Sequence, residues 1–236
     1  MTDRETVVRV ESCGSEPARV HLRTGVLAPR LVARTADAVE VALVATTATL
    51  LGGDHARVRL EVGAGCRLVV RDVAATVAYD GRGGTALWDN VIDVEKGGVL
   101  VWQAEPFVVS DGADVRRSTR AEVAEGGRLL LRDTVGIGRS GQAGGALRCR
   151  TRMTYDGTPA VAEDLDLSPE SRSLPGMLAE ARIIDTITAL GWRPTPAADH
   201  FELAAPGAVA RRLTQDAHAS DLDATWSRWS SQLTRD

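Results

Sequence analysis

Apolar and polar residues alternate along much of the chain. In Val8-Arg9-Val10 and in Arg19-Val20-His21-Leu22-Arg23, every second side chain is apolar. A period of two puts one face inward and one outward, so residues 4–10 and 18–23 are expected as half-buried strands. Ser12 to Pro17 reads as a turn-rich connector between them. Residues 29–36, containing Arg30-Leu31-Val32-Ala33-Arg34, give a further strand. Residues 39–51 are rich in β-branched side chains and end at Gly52-Gly53, the pattern of a buried strand and a turn.

A weak repeat follows, with a period of roughly 30 residues. Val58 to Val62 runs through Gly63-Ala64-Gly65 into Cys66 to Val70. Val91 to Val94 runs through Glu95-Lys96-Gly97-Gly98 into Val99 to Trp102. Arg120 to Val123 runs through Ala124-Glu125-Gly126-Gly127 into Arg128 to Leu131. Each unit is a strand, a tight turn whose glycines permit positive φ, and a strand, and so reads as a hairpin. A fourth hairpin is expected from Cys149 to Leu167, around Asp156-Gly157. The expected fold is all-β, or mainly so. It is a layered or helical array of β-hairpins with few short helices and a C-terminal helix, in one domain spanning 1–236.

The last third is more mixed. Residues 175–180 suggest a helical turn. Residues 182–188 are dense in Ile and Thr and favour a strand. Gly191 to Asp199 is a Pro-rich loop, and residues 208–214 form another strand. At the end, a helix start signal at Ser220 or Asp221 precedes Leu222, Thr225, Trp226, Trp229 and Leu233 at helical spacing. An amphipathic helix is therefore expected at about 220–233, covering its own domain.

Composition narrows the function. Aromatic residues are only 4%, so Val, Leu, Ile and Ala must build the core. The net charge of −4 argues against nucleic-acid binding, which needs a basic face. Arg116, Arg117 and Arg120 alternate with acids and read as a solvated strand face. Three cysteines, Cys13, Cys66 and Cys149, fit neither a disulfide framework nor a CxxC zinc site. The charged start of the chain lacks an export signal, and no apolar run is long enough to span a membrane. A cytoplasmic protein is expected.

Catalytic patterns are scarce. The four histidines, His21, His55, His200 and His218, form no HExxH or HxH pair. His55 stands out only by following the Gly52-Gly53-Asp54 turn. No GxSxG elbow occurs, and the glycines at 141–145 do not join a strand to a helix, so they are no phosphate cradle. Asp54, Glu105 and Asp111 lie at turns or strand ends, where capping is their ordinary role. No catalytic residue is assigned, and the protein is expected not to be an enzyme.

One ordered series does carry a likeness. It runs Leu50-Leu51-Gly52-Gly53-Asp54, then Val69 to Thr76, Leu100 to Phe107 with Glu105-Pro106, Ser110-Asp111-Gly112-Ala113, Leu129-Leu130-Leu131 and Gly136-Ile137-Gly138-Arg139. Over about residues 20–215 this series resembles the urease accessory protein family called UreD or UreH. The chain is similar to a divergent actinobacterial-type member. It departs from the usual Thr-Gln…Thr-Lys pattern at Arg71 to Val77 and has Gly144-Gly145 where a Gly-Glu is usual. The resemblance implies an all-β scaffold that helps insert nickel into apo-urease. Its implied partners are the accessory proteins UreF and UreG, the latter a GTPase, and the apo-urease subunits. No cofactor is implied to be tightly bound. Nickel would be in transit, through an internal water-filled passage, with Asp54 and Glu105 as candidate carboxylates along it or at its mouth. Such a passage suits oxygen ligands and water, because strong imidazole or thiolate ligands would trap the ion. Two other readings stand beside it. One is a β-rich protein-binding module with no metal role. The other is a β-solenoid carbohydrate-active enzyme, suggested by the repeat but opposed by the hairpin-like units.

Overall fold

The structure is a computed structural model describing residues 4–13, 16–36, 38–46, 50–198 and 200–233. The chain opens with β1 (Arg4–Cys13), β2 (Glu16–Arg23), β3 (Leu27–Arg34) and β4 (Ala38–Ala45). Next come β5 (His55–Val62), β6 (Arg67–Asp72), β7 (Thr76–Ala78), β8 (Thr85–Val94), β9 (Val99–Gln103) and β10 (Phe107–Val109). Then follow β11 (Asp114–Val123), β12 (Arg128–Ile137), β13 (Ala146–Tyr155) and β14 (Thr158–Asp166). A one-turn helix, α1 (Pro169–Arg172), precedes β15 (Ile183–Leu190), β16 (His200–Glu202) and β17 (Gly207–Thr214), and α2 (Leu222–Leu233) ends the described chain. The mainly-β expectation, with few short helices and a terminal one, is borne out.

The strands form two sheets. One has seven strands in the order β14-β13-β11-β8-β5-β1-β2. The other has ten; its main path is β16-β17-β15-β12-β9-β6-β4-β3, and β7 and β10 join off that path. Inward side chains of both sheets, among them Val8, Leu60, Ile92, Leu68, Leu100 and Leu129, share one core.

Three of the four glycine-turn units are corners rather than hairpins. β5 and β6 lie on either side of Gly63-Ala64-Gly65 but in opposite sheets, as do β8 with β9 and β11 with β12. Each strand pairs in parallel with its counterpart one repeat away, His55 with Leu87, Thr85 with Asp114 and Asp114 with Ala146. The repeat is thus the coil of a parallel array. The corners stack by hydrogen bonds of their own. Gly63 N donates to Val10 O (2.8 Å), Glu95 N to Val62 O (2.9 Å) and Ala124 N to Val94 O (2.9 Å). Alternation is the same whether a strand folds back on its predecessor or crosses to a facing sheet, so the hairpin reading could not be separated from this one. The Asp156-Gly157 unit is a true hairpin, with β13 and β14 antiparallel.

Boundaries moved in several places. β4 stops at Ala45, and Leu50 forms an isolated bridge to Ala78. Residues 14–15 of the expected connector, 47–49 of the expected strand and Asp199 of the Pro-rich loop lie outside the described residues. Residues 175–180 are turns, not a helical turn. The short helix forms upstream, where the Ser168 side chain accepts from Ser171 N and Pro169 sits in the first turn. α2 buries Leu222, Thr225, Trp226, Trp229 and Leu233, the stripe read from the sequence, against the outer face of the ten-stranded sheet. Trp229 Nε1 donates to Thr195 O (2.9 Å).

Gly52 of the family-like series has a steric reason. A β-carbon on Gly52 would lie 2.5 Å from Gly84 O and 2.8 Å from Gly81 O, in the next coil's loop. Gly52→Ala is therefore expected to destabilise by about 3 kcal/mol, through overpacking against backbone that cannot yield. Gly157→Ala, at φ +70° with open space around it, should cost about 1 kcal/mol. Urea-unfolding midpoints of the two variants test this ordering.

Candidate functional site: a polar cavity between the sheets

Where β13 and β14 face β15 and β17, the sheets part around a cavity of about 410 Å³. Its walls are largely apolar and include Leu131, Val135, Met153, Val161, Ile184 and Val209. Into it project Arg117, Asp133, Cys149, Glu163, Thr186 and Arg211.

Arg117 is not on a solvated face. In β11 the inward phase runs Val115, Arg117, Thr119, Ala121, Val123, and Arg117 is only 8% exposed, whereas Arg116 and Arg120 point outward. Its Nη1 donates to Asp133 Oδ2 at 2.5 Å, and its guanidinium lies over the Phe107 ring, 5.2 Å from the centroid. Burial pulls the Arg117 pKa down, but the Asp133 carboxylate outweighs it and the net direction is up. Arg117 Nε and Asp133 Oδ1 are buried and lack a hydrogen-bond partner among the described residues. A buried polar group without a partner costs on the order of 1–3 kcal/mol, so such atoms call for water or a ligand. At about 30 Å³ per molecule, the cavity has room for water to reach them.

Arg211 grips Glu163 through two bonds, Nη1 to Oε1 (2.6 Å) and Nη2 to Oε2 (2.8 Å), while its Nε donates to Thr186 Oγ1 (3.0 Å). The Glu163 bond holds the Arg211 pKa up. Burial pushes the Cys149 thiol up to about 11, so it stays protonated at neutral pH and is a poor metal ligand. The cavity therefore offers two acids, each already paired with an arginine, hydroxyls and a neutral thiol.

Asp72, at the end of β6, couples electrostatically to Arg117. It accepts from Trp102 Nε1 (3.0 Å) and from Glu105 N (3.2 Å). Burial pushes its pKa up to about 6 against those hydrogen bonds, and the nearby Glu105 charge adds to the rise.

Of the two carboxylates singled out in the sequence, Glu105 is exposed beside Asp72, and its backbone joins that cluster. Asp54 is exposed and caps its turn, Oδ2 accepting from Leu51 N (2.9 Å). The structure does not bring the two together. Asp54 precedes β5 in one sheet, Glu105 follows β9 in the other, and neither lines the cavity. His55 is engaged by Asp89, Nε2 to Oδ2 at 2.7 Å. Among the described residues, no three His, Cys, Asp or Glu side chains converge as metal ligands. No helix among them is long and apolar enough to cross a membrane.

Sequence reading missed Arg117, Asp133, Glu163, Arg211 and Asp72. For two of them a signal was present. Arg117 and Asp133 occupy the apolar phase of otherwise regular strands, Val115-x-Arg117-x-Thr119-x-Ala121 and Leu129-x-Leu131-x-Asp133-x-Val135.

The fold is a two-sheet parallel array with a cavity between the sheets that holds two arginine–carboxylate pairs. Comparison with known proteins gives it a family. The family described as UreD urease accessory protein matches residues 15–234. A urease accessory protein UreD 1 from Streptomyces griseus is 44% identical over 98% of this chain and 93% of its own length. UreD from Frankia casuarinae is 35% identical over 78% of this chain and 62% of its own, and UreD 1 from Saccharopolyspora erythraea 35% over 75% and 72%. The chain belongs to the UreD urease accessory protein family.

Two outcomes follow from the buried charges. Arg117→Met leaves Asp133 charged and unpaired, and should cost about 3–5 kcal/mol; the Arg117→Met/Asp133→Leu double variant should recover most of it. Urea unfolding of the single and double variants measures both. The raised Asp72 pKa favours the folded state fully below about pH 4, and that stabilisation is lost as pH rises through about 6. Asp72→Asn removes the titration. Its unfolding free energy relative to the parent should therefore rise between pH 4 and pH 7, by up to about 3 kcal/mol. Unfolding curves at the two pH values give the sign.

Proposed function

We propose that this chain is a cytoplasmic, non-enzymatic accessory subunit required for nickel insertion into apo-urease, bridging a UreF–UreG GTPase complex and the urease subunits. The observation that carries the reading is membership in the UreD family along nearly the whole chain. In this reading residues 1–236 act as one unit, and nickel is cargo rather than a resident ion.

The cavity supports transit. Nickel that must enter and leave needs weak, exchangeable oxygen ligands. Glu163 is held by Arg211 on both oxygens, and Asp133 by Arg117 on one. The protonated Cys149 cannot seize the ion as a thiolate would. Asp72, which couples electrostatically to Arg117, and the exposed Glu105 beside it would be a route toward the cavity in this reading, and Asp54 is a second exposed carboxylate outside the cavity.

A strain lacking this chain should fail to activate urease, and normal activation there would sink the reading. In the complemented strain, Ala160→Phe narrows the cavity at its β14 wall. It should cut urease activation at least tenfold while the purified variant keeps its melting temperature within a few degrees.

A further inference from the structure

Two arginines clamp the connection between β12 and β13, residues 138–145. Arg172, the last residue of α1, reaches it from the helix. Its Nη1 donates to Gly145 O (2.5 Å) and Leu167 O (3.1 Å), and its Nη2 to Ala143 O (3.0 Å) and Gly144 O (2.6 Å). Arg182, just before β15, reaches the same connection from the sheet. Its Nε donates to Ile137 O (3.1 Å), and its Nη2 to Ile137 O (2.8 Å), Arg139 O (3.3 Å) and Gln142 O. Both side chains line one recess of about 390 Å³, together with Gln142, Ala143, Ser173 and Ala179. Ala179 holds φ +50°, a left-handed conformation that is uncommon for a residue with a side chain.

Neither guanidinium has a counter-charge in contact. Arg117, Arg132 and Arg211 each bond a carboxylate. Among the described residues, the hydrogen-bond partners of Arg172 and Arg182 are instead backbone carbonyls, which carry only partial charge. Glu180, the acid lining the recess, is exposed and accepts from Gln215 Nε2 (2.7 Å). Asp111 Oδ1 accepts from Gly144 N (2.6 Å). Burial and the Arg182 charge push the Arg172 pKa down, and Glu170 and Asp111 offset this only in part. Two like charges held on one recess are unfavourable until a negative group joins them.

Donors remain for such a group. Arg172 Nε and Arg182 Nη1 make no hydrogen bond among the described residues. The other N–H groups are spent on the loop, so the guanidinium planes are fixed before a ligand arrives, which lowers the ordering cost of binding. A carboxylate would neutralise one guanidinium. A phosphate monoester carries about −1.5 to −2 at neutral pH and accepts charge-assisted bonds from arginine, which suits a pair.

We propose that Arg172 and Arg182 form a binding site for a phosphate group, as the free ion or as a monoester. It needs no backbone cradle from the glycines at 141–145. The site shares no lining residue with the polar cavity and does not depend on the nickel reading.

The test is isothermal titration calorimetry of the full-length chain at neutral pH and constant ionic strength. The probes are inorganic phosphate, phenyl phosphate and acetate. At least one phosphate probe should fill a single saturable site with a dissociation constant on the order of 1 mM or tighter. Acetate should bind at least tenfold more weakly. Arg172→Gln and Arg182→Gln should each weaken the phosphate probe at least tenfold. Both arginines also hold the loop, so Ser173→Glu is the deciding variant. It keeps the clamp and places a carboxylate in the recess. It should weaken phosphate binding at least tenfold, with a melting temperature within a few degrees of the parent. Arg120→Gln, at a 70% exposed position on the seven-stranded sheet, should bind as the parent does. Tighter binding of phenyl phosphate assigns the site to an esterified phosphate, and tighter binding of the inorganic ion to free phosphate. No saturable binding by the parent overturns the proposal. So does acetate binding as tightly as phosphate, or a folded Ser173→Glu variant that binds phosphate like the parent.

Discussion

Successive coils of this chain meet backbone to backbone at their loop end. Gly52, Gly81 and Gly84 approach so closely that a β-carbon on Gly52 or Gly81 would collide with the neighbouring coil's backbone. The same close approach recurs at Gly145, where an added β-carbon would lie 2.2 Å from Ala113 O. This contact fixes the pitch, and the pitch fixes which strands are neighbours. At the opposite end the corner turns are tied to one another by backbone hydrogen bonds. Between these two ends, parallel strands hold their registers without slippage from β5 through β11.

A stack of parallel coils needs termination, and antiparallel strands supply it. At one end β1–β2 and β3–β4 close the sheets; at the other β13–β14 and β15–β17 do. The cavity lies at the second end, where the coil pattern stops and the sheets are no longer joined by a corner. Apolar filling thins there, and charged side chains take its place. Burying Arg117 with Asp133 is costly relative to an apolar pair of similar volume, so stability alone does not explain it. The pair fits a site whose contents must be polar and exchangeable.

Much of this was legible from residue order. Strand positions followed from alternation, and the C-terminal helix from five residues at helical spacing, all of them buried. The family followed from an ordered set of short motifs, of which Gly52 now has a steric account. The partnering of strands was not legible, because hairpin and corner share one hydrophobic pattern. Asp54 and Glu105 were read from their motifs as candidate carboxylates of one passage, yet they flank strands of different sheets. Arg117 was read as solvated from its neighbours in sequence, although its phase in β11 marked it as inward.

The sequence by itself determined the local conformation: where strands run, where φ must turn positive, and which face of the last helix is apolar. These depend on nearest-neighbour sterics and on the period of side-chain direction, which operate within a few residues. Tertiary structure alone decided that the glycine turns are corners, that Arg117 meets Asp133, and that Arg172 and Arg182 converge on one loop. Those outcomes depend on contacts between residues far apart in the chain, and a one-dimensional pattern of polarity carries phase along a strand but not the identity of the strand beside it.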